Sequence, residues 1–382
     1  MNIDAVIQNT YEYISQKGFK FPKDTLYNLF LALKTQHFVI LTGQSGSGKS
    51  SLARLYAESI GATEENGRFK TVCVEPHWHN SSHLLGTLST DGYFRKGILT
   101  DFFKNAMLDK SKPYFICLED FNSSRPGEYM AFILHALSHK SHTTEGIASL
   151  PLYSGEFFAK DAESLKLYGN IKILDNLYII ATSGTDETSY PITDKVLEYA
   201  FPIEIQIPDI TFSFTYPEDR PEPAIPIEVD NELLKCDFIT SGDFTDDFEN
   251  SRDFSFVLKN LNQYTLASVA PISMHTRDTI LIYTLYNRRY DIFPQEKAID
   301  NIICSKILPH IHGGTSAIQK CLSELFLYCM TKGGENVEEY PDSYAKMMQG
   351  GSMYGCRYPL SAQKIAEMMR RYENEGYAGY WK

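Results

Sequence analysis

Gly43-Gln44-Ser45-Gly46-Ser47-Gly48-Lys49-Ser50 reads G-x-x-x-x-G-K-S, the pattern of a phosphate-binding loop. Its flanks decide the fold. Before it runs His37-Phe38-Val39-Ile40-Leu41, a β-branched and apolar run that predicts a buried strand. After it runs Ser51-Leu52-Ala53-Arg54-Leu55-Tyr56-Ala57-Glu58, with apolar residues at helical spacing. The chemistry needs these residue types. Glycines let backbone N–H groups curl around the β- and γ-phosphates with no Cβ in the way. A helix starting at about Lys49 points its positive end at the same anion. Lys49 adds a point charge, and the Ser50 hydroxyl suits Mg2+. Gly43 through Ser50, with Ser51 beside them in the first turn, are the candidate nucleotide-binding set. A Gly/Ser-rich linker that binds nothing would have no reason to carry both flanks.

A second element completes the constellation about seventy residues later. Tyr114-Phe115-Ile116-Cys117-Leu118-Glu119-Asp120 is an apolar run ending in two carboxylates. A phosphate loop needs such a strand beside it, because the acidic tip holds the Mg2+ water shell and orients the attacking water. Further strands are expected at Phe69–Val74, Asn176–Thr182 and Phe201–Pro208, with a hairpin turn at Asp91-Gly92 and a helix from Asp101 to about Leu108. Strands alternating with helices predict a parallel sheet covered on both faces.

Outward from this core the character of the chain changes twice. Residues 1–36 carry helical spacing, with Ile3, Val6, Ile7, Tyr11 and Ile14 in a first helix and Asp24 placed to cap a second. Residues 211–255 hold Pro217, Pro221, Pro223 and Pro226 among many acids, which predicts a linker or surface insertion. From residue 256 to 382 the pattern is helical, punctuated by Gly313-Gly314, Gly333-Gly334 and Gly350-Gly351. The expected plan is a 1–36 helical segment, a 37–210 core, a 211–255 linker and a 256–382 all-α domain.

Composition narrows the function classes. At 382 residues and 43% hydrophobic content the chain can bury real cores, and its net charge of −12 argues against a global nucleic-acid magnet. The seven cysteines form no C-x-x-C, which suits reduced thiols in a cytoplasmic protein. No apolar run reaches the roughly 18 residues of a membrane span.

An α/β phosphate-loop core followed by a helical lid resembles the AAA+ plan, and more closely the McrB-like AAA+ proteins, motor subunits of modification-dependent restriction systems. The resemblance rests on Gly18-Phe19-Lys20-Phe21, the loop itself, and Pro76-His77-Trp78-His79-Asn80-Ser81-Ser82-His83-Leu84-Leu85-Gly86. It extends to Asp120-Phe121-Asn122-Ser123-Ser124-Arg125, Thr185-Asp186-Glu187-Thr188 with Asp194-Lys195-Val196-Leu197, Lys306-Ile307-Leu308-Pro309-His310-Ile311-His312-Gly313, and the ending Gly376–Trp381. What it implies is a three-layer αβα core and a lid, assembled as a ring of six with Mg2+ and ATP or GTP between subunits. It also implies a separate nuclease subunit that does the cutting, with DNA met through the assembly. The 36 residues ahead of the Phe38 strand are too few for a DNA-reading module, so target choice is expected to rest with a partner. Under the resemblance Glu119 takes the Mg2+ position together with Ser50, Asp120 positions the water, and Asn122 belongs to the same catalytic segment. Arg125 resembles a retained interface arginine, and Arg277 is the candidate lid arginine on the phosphates.

The departures are specific. The acid pair is inverted relative to the usual Asp-Glu. The polar sensor position falls on Gly184, which has no side chain, and the trans-acting arginine position falls on Tyr199. Such an arginine is worth roughly 10³–10⁵ in rate, or about 4–7 kcal/mol of barrier. Good nucleotide binding with slow or conditional hydrolysis is therefore expected. A nucleotide-dependent structural subunit and a MoxR-like remodelling chaperone are the alternatives. Three weaker signals stand beside these. His77, His79 and His83 suggest a metal but lack a completing carboxylate or thiol. Trp78 and Trp381 are expected to be packing residues. Tyr93-Phe94-Arg95-Lys96-Gly97 puts aromatics and cations on a hairpin that would suit a nucleic-acid backbone in a pore, or plain solvent.

Overall fold

A computed structural model describes residues 2–144, 146–184, 190–206, 222–243, 257–262, 269–330 and 356–381. The chain forms two compact units, Met1–Ile239 and Thr240–Lys382. The first opens with helices α1 (Ile3–Gln16) and α2 (Lys23–Gln36), then strand β1 (Phe38–Thr42). All five β1 residues are buried, as their apolar run requires. Helix α3 (Lys49–Ser59) follows the loop, and β2 (Phe69–Cys73) comes next. A short turn of helix α4 (Ser82–Leu85) leads into the hairpin β3 (Gly86–Leu88) and β4 (Phe94–Lys96), then α5 (Thr100–Leu108) and β5 (Tyr114–Glu119). Helices α6 (Pro126–Tyr129) and α7 (Ala131–Ser138) precede a second hairpin, β6 (Ser141–Thr143) and β7 (Gly146–Ala148), which the sequence patterns did not predict. Helix α8 (Ala162–Tyr168), strand β8 (Leu177–Ser183), helix α9 (Asp194–Tyr199) and strand β9 (Phe201–Glu204) complete the unit.

The main sheet is five-stranded and parallel, in the order β2-β5-β8-β1-β9. One strand, β8, is thus inserted between the loop-bearing β1 and the acid-tipped β5. That order, with flanking helices and a phosphate loop after β1, makes a three-layer αβα core. Parallel strands end at the same edge, so the loop after Thr42 and the carboxylates after Leu118 must emerge together.

The amino-terminal helices belong to this core rather than standing apart from it. The buried face of α1 (Ile3, Val6, Ile7, Thr10, Ile14) packs on α2 and α3, and the Thr10 and Ser59 hydroxyls meet at 2.9 Å inside that contact. Asp24 lies in the first turn of α2, and Pro22 rather than Asp24 holds the N-cap position.

The acidic stretch also departs from expectation. Parts of it lie outside the described residues, but 222–239 is laid along the first unit as a strap. Ile227 and Val229 donate their amides to the carbonyls of Ser59 and Ile60, at the carboxyl end of α3. Arg68 and Lys112 bind Glu228, and Lys112 also binds Asp230. Asn231 accepts from the buried Tyr178 hydroxyl at 2.7 Å. Lys34 Nζ donates to the carbonyls of Leu233 and Lys235. The acids looked like solvated linker charge because their cationic partners lie far away in sequence.

The strap ends on a titratable lock. His37 is buried, left-handed at φ 57°, and its Nε2 accepts the Cys236 amide at 3.2 Å. Burial, then the Lys140 and Lys34 ammonium groups, hold its basicity well below the ordinary value of 6.5. A proton on Nε2 would face an N–H donor. The folded state therefore keeps the ring neutral, while the unfolded chain takes up a proton as pH falls below about 6.5. This stabilisation is present above that pH and is lost on acidification toward the depressed folded value. The melting temperature should fall between pH 7.5 and 5.5, with amides near Cys236 exchanging first. His37→Asn, which tolerates the backbone and keeps an acceptor, should flatten that slope.

Among the described residues of the second unit, the longer helices are Met274–Tyr290, Gln295–Ile302, Ser316–Met330 and Pro359–Glu375. A wider π turn, Ile303–Ile307, extends the second of them. Gly313 and Ala378 exchange two backbone hydrogen bonds at 2.9 Å. The two motifs at His312-Gly313 and Gly376–Trp381 are thus halves of one bridge. Buried Asp300 accepts from the Leu360 and Ser361 amides at 2.9 and 2.8 Å and from the Ser361 hydroxyl, capping the last helix from outside it. Asp300→Ala strands those donors and should cost about 2–3 kcal/mol in chemical denaturation.

Candidate functional site

The loop is built by backbone geometry. Gly43 turns at φ 139°, and a Cβ there would lie 2.5 Å from the Ile205 carbonyl oxygen, so only glycine fits beside β9. Gly48 caps α3 in the left-handed region at φ 86°, where a Cβ would meet the Phe21 ring at 3.0 Å. Gln44, Ser45 and Gly46 are exposed, Ser47 is buried, and Lys49, Ser50 and Ser51 are half-buried in the first turn of α3. Lys49 Nζ folds back over the loop and donates to the Gly43 and Gln44 carbonyls at 2.9 and 2.8 Å. The loop therefore brings a helix N-terminus, an ammonium group and a serine together at the end of β1.

The carboxylates reach the same edge. Leu118 is level with Ala181 on β8, and Leu41 with Thr182. Glu119 therefore ends its strand at the height of Leu41, two strand spacings or about 10 Å across the sheet. Glu119 is half-buried and Asp120 exposed. Asp120 sits in the left-handed region at φ 51°, a strained setting for a non-glycine residue. Its amide donates to Thr182 Oγ1 at 3.4 Å, so the end of β8 helps hold the tip. The charge of this edge registers on Cys73, the β2 residue paired with Glu119. Its thiol is pushed up by burial and by the Asp120, Glu119 and Glu75 carboxylates. Two carboxylates and a serine hydroxyl are hard oxygen donors, which fit Mg2+ better than a softer ion.

The other predicted site residues have partners of their own. Asn122 is buried, and its Nδ2 donates to the Gly184 carbonyl at 3.2 Å while its own carbonyl accepts the Tyr190 amide at 2.8 Å. It is a brace between two loops. Arg125 points into solvent, paired with Glu128 at 3.1 Å and lying over the Tyr190 ring. Arg277 belongs to the second unit, where its guanidinium binds Asp278 and Ser241. Tyr199 ends α9. The Thr185–Thr188 motif lies outside the described residues.

Phe19 and Phe21 were missed as site residues. They stack with parallel planes at 6.3 Å and wall the loop at Gly48. The signal was present, since both rings lie in a motif already singled out, but no periodicity connects them to a loop more than twenty residues away.

The Trp78 segment is packing. The ring is 1% exposed, stacks on His83 at 5.2 Å and meets Tyr129 edge-on, while its carbonyl accepts from Ser124. Trp78→Ala should cost about 3–5 kcal/mol, read as a lower denaturation midpoint. Among the described residues no three metal-type side chains cluster, and no helix is long and apolar enough to cross a membrane. In the first hairpin the residues divide. Phe94 is buried against Tyr153 and Phe158, Lys96 pairs with Asp101, and Tyr93 and Arg95 face outward.

Residues 227–377, under half of the chain, match a domain of unknown function (DUF8727). No curated protein matches. Among solved structures, NtrX from Brucella abortus in complex with ADP is similar at 15% identity and a TM-score of 0.27, over 48% of this chain and 35% of that one. The chain thus spans about a third of the NtrX chain. A protein of Cytophaga hutchinsonii named as a candidate ATPase is similar at 12% identity and a TM-score of 0.32, over 98% of this chain and 81% of that one. The strand order and the loop, rather than these likenesses, define the fold.

Proposed function

We propose that this chain is a McrB-like AAA+ subunit that binds Mg2+ and ATP or GTP, assembles with copies of itself into a ring, and powers or licenses a separate cytoplasmic nuclease acting on foreign DNA. The observation that carries the nucleotide part is the convergence at one sheet edge of the Gly43–Ser51 loop with Glu119 and Asp120. In this reading the loop amides and Lys49 hold the phosphates. Ser50 and Glu119 hold the metal, which when bound neutralises phosphate charge. Asp120 accepts a hydrogen bond from the attacking water. Sedimentation with and without Mg·ATP or Mg·GTP tests assembly, and turnover with and without nuclease and DNA tests coupling.

A second reading has its own support. Gly184 offers no side chain, Asn122 is committed to the Gly184 carbonyl, and Arg125 is paired with Glu128. These features favour a subunit that uses bound nucleotide as adhesive between neighbours and hydrolyses little. Nucleotide-dependent oligomers without turnover would select it. Capture of a protein substrate instead of DNA or nuclease would point to a chaperone role.

A further inference from the structure

We propose that His135 and His139 form a binding site for a late divalent transition metal, of the zinc, nickel or copper class, away from the phosphate loop. The two residues are spaced i, i+4 across the end of α7, and both are exposed. That spacing stacks side chains on one helix face. Their ring centroids lie 4.4 Å apart with planes at 49°, close enough for one ion to bridge the two imidazoles.

The hydrogen bonds set the tautomer of the second ring. Ser138 Oγ donates to the His135 carbonyl at 2.8 Å, so toward His139 Nδ1, also at 2.8 Å, it acts as an acceptor. His139 Nδ1 also lies 3.0 Å from the His135 carbonyl oxygen, which can only accept. Both contacts require a hydrogen on Nδ1. The neutral ring must then carry its lone pair on Nε2, the atom a metal needs. A ligand histidine whose other nitrogen donates to a carbonyl or hydroxyl is the arrangement that orients metal-bound imidazoles. No third metal-type side chain completes the cluster among the described residues. The ion therefore keeps water in its remaining positions, and imidazole-only ligation favours zinc, nickel or copper over magnesium or calcium.

The test is calorimetric titration of tag-free, full-length protein with zinc chloride, and separately nickel chloride, in a non-chelating buffer. One site per chain is expected. His135→Ala and His139→Ala should each weaken it at least tenfold, Ser138→Ala should weaken it a few-fold by freeing the tautomer, and His77→Ala should leave it unchanged. Zinc should raise the melting temperature of the parent protein and of His77→Ala, but not of the His135/His139 double variant, by mass action on the folded state. Undiminished binding in the double variant, loss of the site on His77→Ala instead, or no heat at millimolar metal would overturn the proposal.

Discussion

Lys49→Ala abolishes Mg·nucleotide binding at concentrations that saturate the unchanged protein. The ammonium of Lys49 already lies over the loop, donating to the Gly43 and Gln44 carbonyls, and a triphosphate would replace those acceptors with charged ones. Each hydrogen bond to a charged group contributes about 1.5–3 kcal/mol. Two lost bonds come to about 3–6 kcal/mol, or roughly 10²–10⁴ in affinity. The fold should survive, because α3 is anchored by buried Leu52, Leu55 and Tyr56 and not by its first residue. Calorimetry with Mg·ATP and Mg·GTP reads the loss, and circular dichroism checks the fold. Equal heats for the variant and the parent would remove the loop from nucleotide binding.

Asp120→Asn should lower turnover by about 10²–10⁴, the range for a positioned proton acceptor, while leaving nucleotide affinity within a few-fold. Glu119→Gln should instead raise the Mg2+ concentration needed for half-maximal rate. The two effects separate because Glu119 is the last residue of β5 and half-buried, whereas Asp120 is exposed one residue further on. Turnover falling on Glu119→Gln with no effect from Asp120→Asn would reverse the roles. Measurable turnover untouched by either change would place hydrolysis elsewhere.

The phosphate-loop core was legible because its signals are local. Phe38–Thr42 is apolar throughout, Gly43–Ser50 needs its residues for backbone reasons, and Tyr114–Glu119 repeats the buried-strand pattern before two acids. Four of the five strands landed within a residue at each end, since both faces of a parallel sheet are covered, whereas the edge strand expected over Phe201–Pro208 stops at Glu204. Long-range partnerships were not legible. Nothing in the run around Glu228 announces Arg68 and Lys112, and nothing near Asn231 announces Tyr178. The β6–β7 hairpin escaped because Ser141-His142-Thr143 is polar and wholly exposed, leaving no alternation to detect. Asn122 read as catalytic from its neighbours in the chain. Its burial and its bond to Gly184 depend on a loop some sixty positions later.

The strap also fixes where this protein can be cut. A fragment ending near residue 210 would keep every strand of the sheet and the whole phosphate loop, yet it would strip the Ser59 and Ile60 carbonyls of their donors, leave Arg68 without its counter-ion and uncover His37. Such a fragment should aggregate or melt early. One ending at Ile239 retains those partners and is a piece in which the phosphate loop can be studied in isolation.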